Sequence, residues 1–325
     1  MCHAYQIAVR GGVPKDQIIT IARDDIASNS RNPFPGQIFN QPDGEDVYDG
    51  CAIDYSGEHA NPEVLLAVLA GDKSKVAGKG TGKVLQSTGS DKVFFYYSDH
   101  GSKGMVSMPD GMLYATDFNN ALKTMHSKNM YEEMLVYIEA CHSGSMFDDQ
   151  LPDNVKIYAT TAAHADESSY AFYCYPNDVV KGSHMGTCLG DEYSVRWMED
   201  SDQADMCATS VGAQYDTVNV GTRMSHVQEY GQKSIKNDVI GDFQSTTCDA
   251  QWFRPFLRRK RAQEVQSSTI KEGLQPDCQE AKLHSIFHTY MLYKRPEDFK
   301  ELHREVEVRK KIDDRFDRLM MELNL

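Results

Sequence analysis

The chain has 325 residues, with 34 basic and 48 acidic side chains and a formal net charge of −14 at pH 7. This length suffices for one large domain or two modest ones, and the acidic balance argues against nucleic acid as a partner. No run of about 20 apolar residues is present, so we predict no membrane span. The first residues indicate a helix rather than a signal peptide.

The first 90 residues contain few regular elements. Residues 3–10 predict a helix that ends at Gly11-Gly12, and residues 17–22 predict a short strand. After a long polar connection, Asn61 precedes proline and the apolar residues 64–69, which is typical of a capped helix. The glycine-rich stretch GKGTGK lacks the spacing of a phosphate loop, and we interpret it as a connector.

Two apolar strands end in residues that can do chemistry. Val93–Tyr97 leads into His100, and Met134–Ile138 leads into Cys141. Residues 116–126 between them predict a crossover helix with Thr116 as its N-cap, which makes the two strands parallel. Because the carboxyl ends of parallel strands share one edge of the sheet, we expect His100 and Cys141 to lie close together.

A thiol next to an imidazole is the arrangement of a cysteine hydrolase, in which the histidine activates the sulfur. The small residues after Cys141 predict a turn whose amides could stabilise a thiolate or an oxyanion. Three other interpretations stay open: an inert buried cysteine, His142 as the base, or a metal site formed by His100, Cys141 and His142. Alternation along the strand places Glu139 on the same side as Cys141.

The remaining sequence continues the alternation of strands and helices. Residues 155–161 predict a strand, and residues 192–199 and 201–215 predict helices. None of the 8 cysteines forms a CxxC pair, so no structural zinc is expected. Cys174 and Cys188 flank a polar loop that suits a disulfide, although two unpaired thiols are the alternative.

The C-terminal part has a different character. Residues 245–279 show little periodicity and include the basic run Arg258–Arg261, whereas residues from 280 onward predict helix. Apolar side chains from Phe299 to Leu323 recur at steps of three and four, which indicates a stripe that needs a partner surface. We expect that partner to be the preceding α/β domain.

Several motifs together resemble the legumain family of asparaginyl endopeptidases. They are SDHGS after the first strand, YIEACHSGSMF after the second, YATTAA with ESSYA, and TCLGDEYSVRWMEDSD. The resemblance runs almost continuously over residues 2–244. It implies a caspase-like three-layer α/β sandwich with a mainly parallel sheet and a C-terminal helical prodomain, both apparently truncated. The domains would be 1–244 for the peptidase, 245–279 for the linker and 280–325 for part of the prodomain.

The resemblance also implies residue roles. His100 would be the general acid and base and Cys141 the nucleophile, with the oxyanion held by the amides of Gly101 and Cys141. The asparagine side chain of the substrate would be bound by residues from three loops: Glu139, Ser169 and Asp191. A carboxamide offers one acceptor and one NH₂ donor, so the pocket needs both kinds of partner. A pocket carboxyl that is protonated at acid pH would also tolerate aspartate.

The family further implies a zymogen without cofactor or metal, with protein or peptide substrates that carry Asn or Asp at the cleaved bond. We expect cystatin-type inhibitors and the chain's own prodomain as further partners. We also expect a lysosomal, vacuolar or secreted location and a peptide ligase side activity. Because residues 245–279 lack asparagine, self-processing would fall at Asp249 or Asp277, or another protease would cleave the linker.

Two departures from the family pattern define an alternative. An arginine-bearing segment that would precede Cys2 and donate to the substrate carboxamide is not in this sequence, and His142 stands where a glutamate is expected. The alternative is therefore a truncated, catalytically inactive relative that acts as a binding or regulatory protein.

Overall fold

The structure is a computed structural model that describes residues 1–246, residue 248 and residues 275–322. Most of the predicted linker 245–279, with Asp249 and the run Arg258–Arg261, lies outside the described residues. None of the described helices is long and apolar enough to cross a membrane.

A four-stranded sheet forms the centre of the molecule, in the order β1 (Lys92–Ser98), β5 (Glu133–Glu139), β6 (Ile157–Thr161) and β11 (Gln228–Gly231). The first three strands are parallel, and β11 pairs antiparallel with β6. The prediction of two parallel strands joined by a crossover helix is confirmed. Their carboxyl ends therefore open onto one edge of the sheet.

Helices cover both faces of this sheet because β5 is apolar on both sides. Met134, Val136 and Ile138 face one core with Phe118 and Leu122. Leu135 and Tyr137 face a second core, which includes Trp197 and Val218. Alternate residues of one strand thus serve two cores, and the result is a three-layer α/β arrangement.

The helices are α1 (Cys2–Arg10), α2 (Pro62–Leu69), α3 (Ala115–Ser127), α4 (Glu192–Gln203), α5 (Val211–Gly221), α6 (Gly241–Gln244), α7 (Ala281–Tyr293) and α8 (Pro296–Glu322). The predicted cap of α2 is confirmed, because the Asn61 side chain accepts from the Val64 amide at 2.9 Å. The predicted cap of α3 is wrong. That helix starts at Ala115 with Tyr114 as N-cap, directly after a strand, so Thr116 already lies within it.

The remaining strands in the described part of the chain are short and lie outside the central sheet. They are β2 (Gly101–Ser102), β3 (Met105–Met108) and β4 (Gly111–Tyr114) in one antiparallel arm, β7 (Ala171–Phe172) with β10 (Gly190–Asp191), and β8 (Val179–Val180) with β9 (Ser183–His184). The predicted strand at 17–22 is wrong, because this stretch makes only a single bridge, from Ile21 to Tyr55. The helix predicted over 201–215 lies further along the chain, at Val211–Gly221, which is α5.

Individual side chains of both C-terminal helices contact the α/β domain. In α7, Ile286 is buried and the His288 ring stacks on Tyr175. In α8, Glu301 pairs with Arg31 at 2.8 Å. The expectation that the apolar stripe of α8 packs on this domain is wrong for Phe299, Val306 and Ile312, which are exposed, whereas Leu302 is half-buried.

Three disulfides tie loops to the domain: Cys2–Cys51, Cys174–Cys188 and Cys207–Cys248. Sequence alone suggested one of these pairs, Cys174 with Cys188. A fourth pair involves Cys141 and belongs to the site described next.

Candidate active site

Cys141 lies two residues beyond the end of β5, with its side chain fully buried. The chain turns sharply there, because His142 adopts a left-handed conformation with φ of 55°. The His142 amide donates to the Glu167 carbonyl at 2.7 Å, and the Gly144 amide donates to the Ala163 carbonyl at 2.9 Å. A Cβ atom on Gly144 would collide with the backbone at Ala165, so the turn requires glycine there.

His100 reaches the same edge on the neighbouring strand. The parallel register pairs Ser98 with Glu139, and the Asp99 amide donates to the Glu139 carbonyl at 3.2 Å. The paired register ends at Ser98 and Glu139, and His100 and Cys141 each follow two residues after these strand ends. The histidine is exposed to solvent, and its amide donates to the Asp99 carboxylate at 2.7 Å.

Gly101 packs directly against the cysteine. It is buried, and a Cβ atom at this position would collide with the Cys141 carbonyl oxygen and the Ala140 methyl group. Only glycine therefore allows the two strand ends to approach this closely. The backbone amides of Gly101 and Cys141 thus lie on adjoining chain segments at the site.

The amides after Cys141 do not point into the site. Residues 143–146 form a single 3₁₀ turn instead of opening a helix. The amides of His142, Gly144 and Ser145 donate to carbonyl groups of the protein. The Cys141 amide, by contrast, has no acceptor among the described residues, and it remains the candidate oxyanion donor on this segment.

Glu139 is buried beside the cysteine, and its two oxygens differ. Oε2 accepts hydrogen bonds of 2.9 Å from both the amide and the hydroxyl of Ser194. Oε1 is buried and has no hydrogen-bond partner among the described residues. Buried polar atoms are normally paired, so an unpaired oxygen here indicates a place where a ligand atom can bind.

Ser169 and Asp191 lie at the same edge. Ser169 is buried, and both its carbonyl and its hydroxyl oxygen lie 3.8 Å from the Cys141 sulfur. Asp191 is the last residue of β10, and β10 pairs with β7 two residues after Ser169. The three predicted pocket residues are therefore gathered around one point of the sheet edge.

Burial changes the protonation of the two acidic side chains. Desolvation, followed by the charge of Asp191, raises the pKa of Glu139 to about 8, while the Ser194 hydrogen bonds and a weaker interaction with the Ser169 hydroxyl oppose the shift. Desolvation also raises the pKa of Asp191 to about 6, against the charge of His100. Glu139 therefore keeps its proton to a higher pH than an exposed glutamate does.

His142 is directed away from the cysteine. Its Nδ1 atom lies 3.1 Å from the Ala165 carbonyl oxygen, to which it donates. This bond holds the ring over the loop after β6. His100, by contrast, follows the end of β1, the strand that pairs with β5.

A segment from the C-terminal region covers the site. The Ala171 amide donates to the Pro276 carbonyl and the Cys278 amide donates to the Ser169 carbonyl, both at 3.1 Å. Tyr170 and Asp277 form an antiparallel bridge. Residues 276–278 thus add a short strand along 169–171, and Cys278 is paired with Cys141 in a disulfide.

Two of these residues were missed from the sequence. Ser194 lies on α4, and its contact with Glu139 joins positions 55 residues apart, for which the sequence offers no signal. Cys278 was visible as a cysteine without an assigned partner, which is the one signal that could have drawn attention to it.

The site combines a cysteine and a histidine, which follow adjacent parallel strands, with a buried carboxyl group. These are the side chains of a cysteine hydrolase, carried on an α/β fold. The sequence profile of the Peptidase C13 family matches residues 1–246. The chain belongs to this family.

Individual relatives agree with this assignment. Legumain from Mus musculus is 49% identical over 243 residues, which cover 75% of this chain and 54% of the relative. Vacuolar-processing enzyme from Ricinus communis is 42% identical over 315 residues, covering 94% of this chain and 61% of the relative. The chain thus spans little more than half the length of these relatives. Among solved structures, caspase-1 from Spodoptera frugiperda is 11% identical with a TM-score of 0.31, over 44% of this chain and 60% of that one.

Proposed function

We propose that the chain is a cysteine endopeptidase that cleaves after asparagine, and after aspartate at acid pH, and that it is made as a zymogen. The observation that carries the proposal is the arrangement at the sheet edge: the buried sulfur of Cys141, the imidazole that follows the adjacent strand, and the oxygen of Glu139 without a close hydrogen-bond partner. Membership of the Peptidase C13 family and the legumain relatives support the same reaction.

The chemistry follows from the residues at this edge. His100 takes the thiol proton, and the Cys141 sulfur attacks the carbonyl carbon of the scissile bond. The amides of Cys141 and Gly101 donate to the oxyanion that forms. His100 then protonates the leaving amine, and water hydrolyses the thioester to regenerate the thiol. An amine that replaces this water would be ligated to the acyl group, which accounts for the proposed ligase side activity.

Selectivity for asparagine follows from the two oxygens of Glu139. Because Oε2 already accepts two hydrogen bonds from Ser194, the proton of the neutral carboxyl group lies on Oε1. Oε1 can then donate to the carboxamide oxygen of the substrate, and Asp191 can accept from its NH₂ group. An aspartate side chain that is protonated at acid pH presents the same pattern of one acceptor and one donor.

Latency follows from the segment 276–278. It lies along residues 169–171 as an extended peptide, which is where a substrate backbone would pair, and Cys278 holds the nucleophile. A dithiol reductant would open this bond: the reductant is oxidised to a disulfide, and Cys141 and Cys278 each gain a hydrogen. Asp277, one of the predicted processing sites, has a carboxylate oxygen within 4.8 Å of both sulfur atoms.

The location and the partners follow from the same proposal. Three further disulfides suit an oxidising compartment, and the relative from Ricinus communis is described as vacuolar. We therefore place the protein in a lysosome, in a vacuole or outside the cell. Its partners are protein or peptide substrates, cystatin-type inhibitors and its own C-terminal helices.

The test is cleavage of Ala-Ala-Asn and Ala-Ala-Gln reporter peptides by the full chain. The chain is reduced with a dithiol and assayed at about pH 5.5. We expect cleavage of the Asn peptide at least 100-fold faster than of the Gln peptide, and none by Cys141→Ala. His142→Ala is the matched control and keeps the activity. Equal cleavage of both peptides would refute the specificity, and cleavage by Cys141→Ala would refute the nucleophile.

A further inference from the structure

Two histidines and a glutamate meet near the active site without taking part in the proposed reaction. His164 and Glu167 follow β6, and His226 precedes β11. Because β6 and β11 are antiparallel neighbours with Thr161 opposite Gln228, the end of one strand lies beside the start of the other. The sheet topology thus brings together residues that are 62 positions apart.

The distances between the three side chains are short. His164 Nε2 lies 2.8 Å and His226 Nδ1 lies 2.9 Å from the same Glu167 oxygen, Oε2. The one ligand atom that each residue offers lies within 4.8 Å of the other two. The two imidazole rings are stacked with their centroids 5.9 Å apart. Both nitrogen atoms therefore point at one oxygen from neighbouring positions.

We propose that His164, Glu167 and His226 form a binding site for a divalent cation of the zinc type. Two imidazoles and one carboxylate are a common zinc ligand set, and three protein ligands leave a fourth position for water. A zinc ion would replace the two protons that lie between the Glu167 oxygen and the two imidazole nitrogens. Because zinc lies about 2.0–2.1 Å from each of its ligand atoms, the two nitrogens and the carboxylate oxygen need to move only slightly to make room for it.

The surroundings of Glu167 prepare it for this role. Its second oxygen, Oε1, accepts from the backbone amide of His226, which fixes the carboxylate and directs Oε2 towards the imidazoles. Groups that orient a ligand in this way normally contribute to metal affinity. One contact opposes binding: the Asp166 amide donates to His164 Nδ1 at 3.2 Å, and this bond is lost when Nδ1 carries the proton.

The second group of metal-ligating side chains in the described residues is Cys141, Asp277 and Cys278. That group is the covered active site, and its two sulfur atoms are bonded to each other. The histidine cluster is separate from it and connects to it through the chain, since the Glu167 carbonyl accepts from the His142 amide. The cluster is accessible, because His226 is largely exposed and His164 is partly so.

Zinc titration of the metal-free, unreduced full chain by calorimetry tests the site, since the cysteines are then paired. We expect one zinc ion per chain, at least tenfold weaker binding by His164→Ala and by His226→Ala, and about tenfold weaker binding by Glu167→Gln. His59→Ala is the matched control: this histidine lies 3.9 Å from Glu58 but belongs to no metal-ligating group among the described residues, and its loss should change the affinity less than twofold.

Thermal unfolding provides a second readout that does not depend on activity. Zinc should raise the Tm of the wild type and of His59→Ala, because a ligand that binds only the folded state stabilises it. At the same zinc concentration it should raise the Tm of His164→Ala and His226→Ala clearly less, with all four proteins folded in the absence of metal. Wild-type protein without a bound zinc ion, or cluster variants that bind as the wild type does, would overturn the proposal.

Discussion

The cover over Cys141 leads to a quantitative prediction for Cys278→Ser. In the oxidised wild type, the sulfur of Cys141 is bonded to Cys278 and cannot attack a substrate. The serine variant lacks this bond but keeps residues 276–278 on the edge of residues 169–171. We therefore expect the unreduced variant to be active, and as active as the wild type after reduction with a dithiol.

The remaining inhibition can be derived from the backbone contacts. Two hydrogen bonds hold the segment once the disulfide is gone, one to Ala171 and one to Ser169. At about 1 kcal/mol each, they reduce the population of the open site about 30-fold. Cys278→Pro removes the thiol and also the amide that donates to Ser169, so it should be about fivefold more active than Cys278→Ser.

The assay compares the rate of Asn-peptide cleavage at pH 5.5 with and without prior reduction at pH 7. The double variant Cys174→Ser with Cys188→Ser is the matched control, because it removes a disulfide away from the nucleophile and should stay dependent on reduction. If the unreduced wild type cleaves as fast as Cys278→Ser, then Cys278 does not cover Cys141 in solution and the latency argument fails.

Three further predictions concern the residues around the thiol. Gly101→Ala places a methyl group against the Cys141 carbonyl and displaces an oxyanion donor, so kcat/KM should fall at least 100-fold, while Ser102→Ala changes it little; an active Gly101→Ala would contradict this packing. Glu139→Gln retains an N–H donor towards the substrate, so its kcat/KM at pH 5.5 should be within a fewfold of that of the wild type. The kcat/KM of Glu139→Ala should fall about 100-fold. Equal losses in both variants would contradict the role of Glu139 as a donor. The pKa of Glu139 is raised to about 8 in the folded chain, so the folded state holds a proton that the unfolded state loses above its ordinary pKa of 4.5. Its contribution to the free energy of unfolding is then largest below about pH 4.5 and is lost as the pH rises to 8, at about 1.4 kcal/mol per pKa unit. Denaturant midpoints at pH 5, 6, 7 and 8 should fall less steeply for Glu139→Gln than for the wild type, and parallel curves would show that Glu139 ionises normally.

The sequence was informative where a local pattern determines the structure. The apolar runs of β1 and β5 and the intervening helix sufficed to predict parallel strands, and hence that His100 and Cys141 follow strand ends at one edge of the sheet. The Asn61 cap was predictable for the same reason, because it depends on residues three positions apart. Residues 17–22 look like a strand locally, but a strand requires a partner, and only Ile21 finds one.

The features that sequence could not predict all join distant segments. The bond between Cys141 and Cys278 spans 137 residues, and nothing in the local pattern selects one partner among 8 cysteines. The histidine cluster depends on the antiparallel placement of β11 beside β6, which follows from packing of the whole sheet. The apolar stripe of α8 was visible in the sequence, but periodicity specifies a face and not what covers it.

The most direct test of Cys141 as the nucleophile is covalent labelling. The reduced full chain is treated at pH 5.5 with an Ala-Ala-Asn peptide that carries a thiol-reactive halomethyl ketone, and the labelled residue is located by peptide mass spectrometry. We predict one label per chain, on Cys141, that is prevented by excess Asn substrate and by prior oxidation to the Cys278 disulfide. Labelling of another cysteine, or labelling of Cys141 that substrate does not prevent, would contradict the assignment.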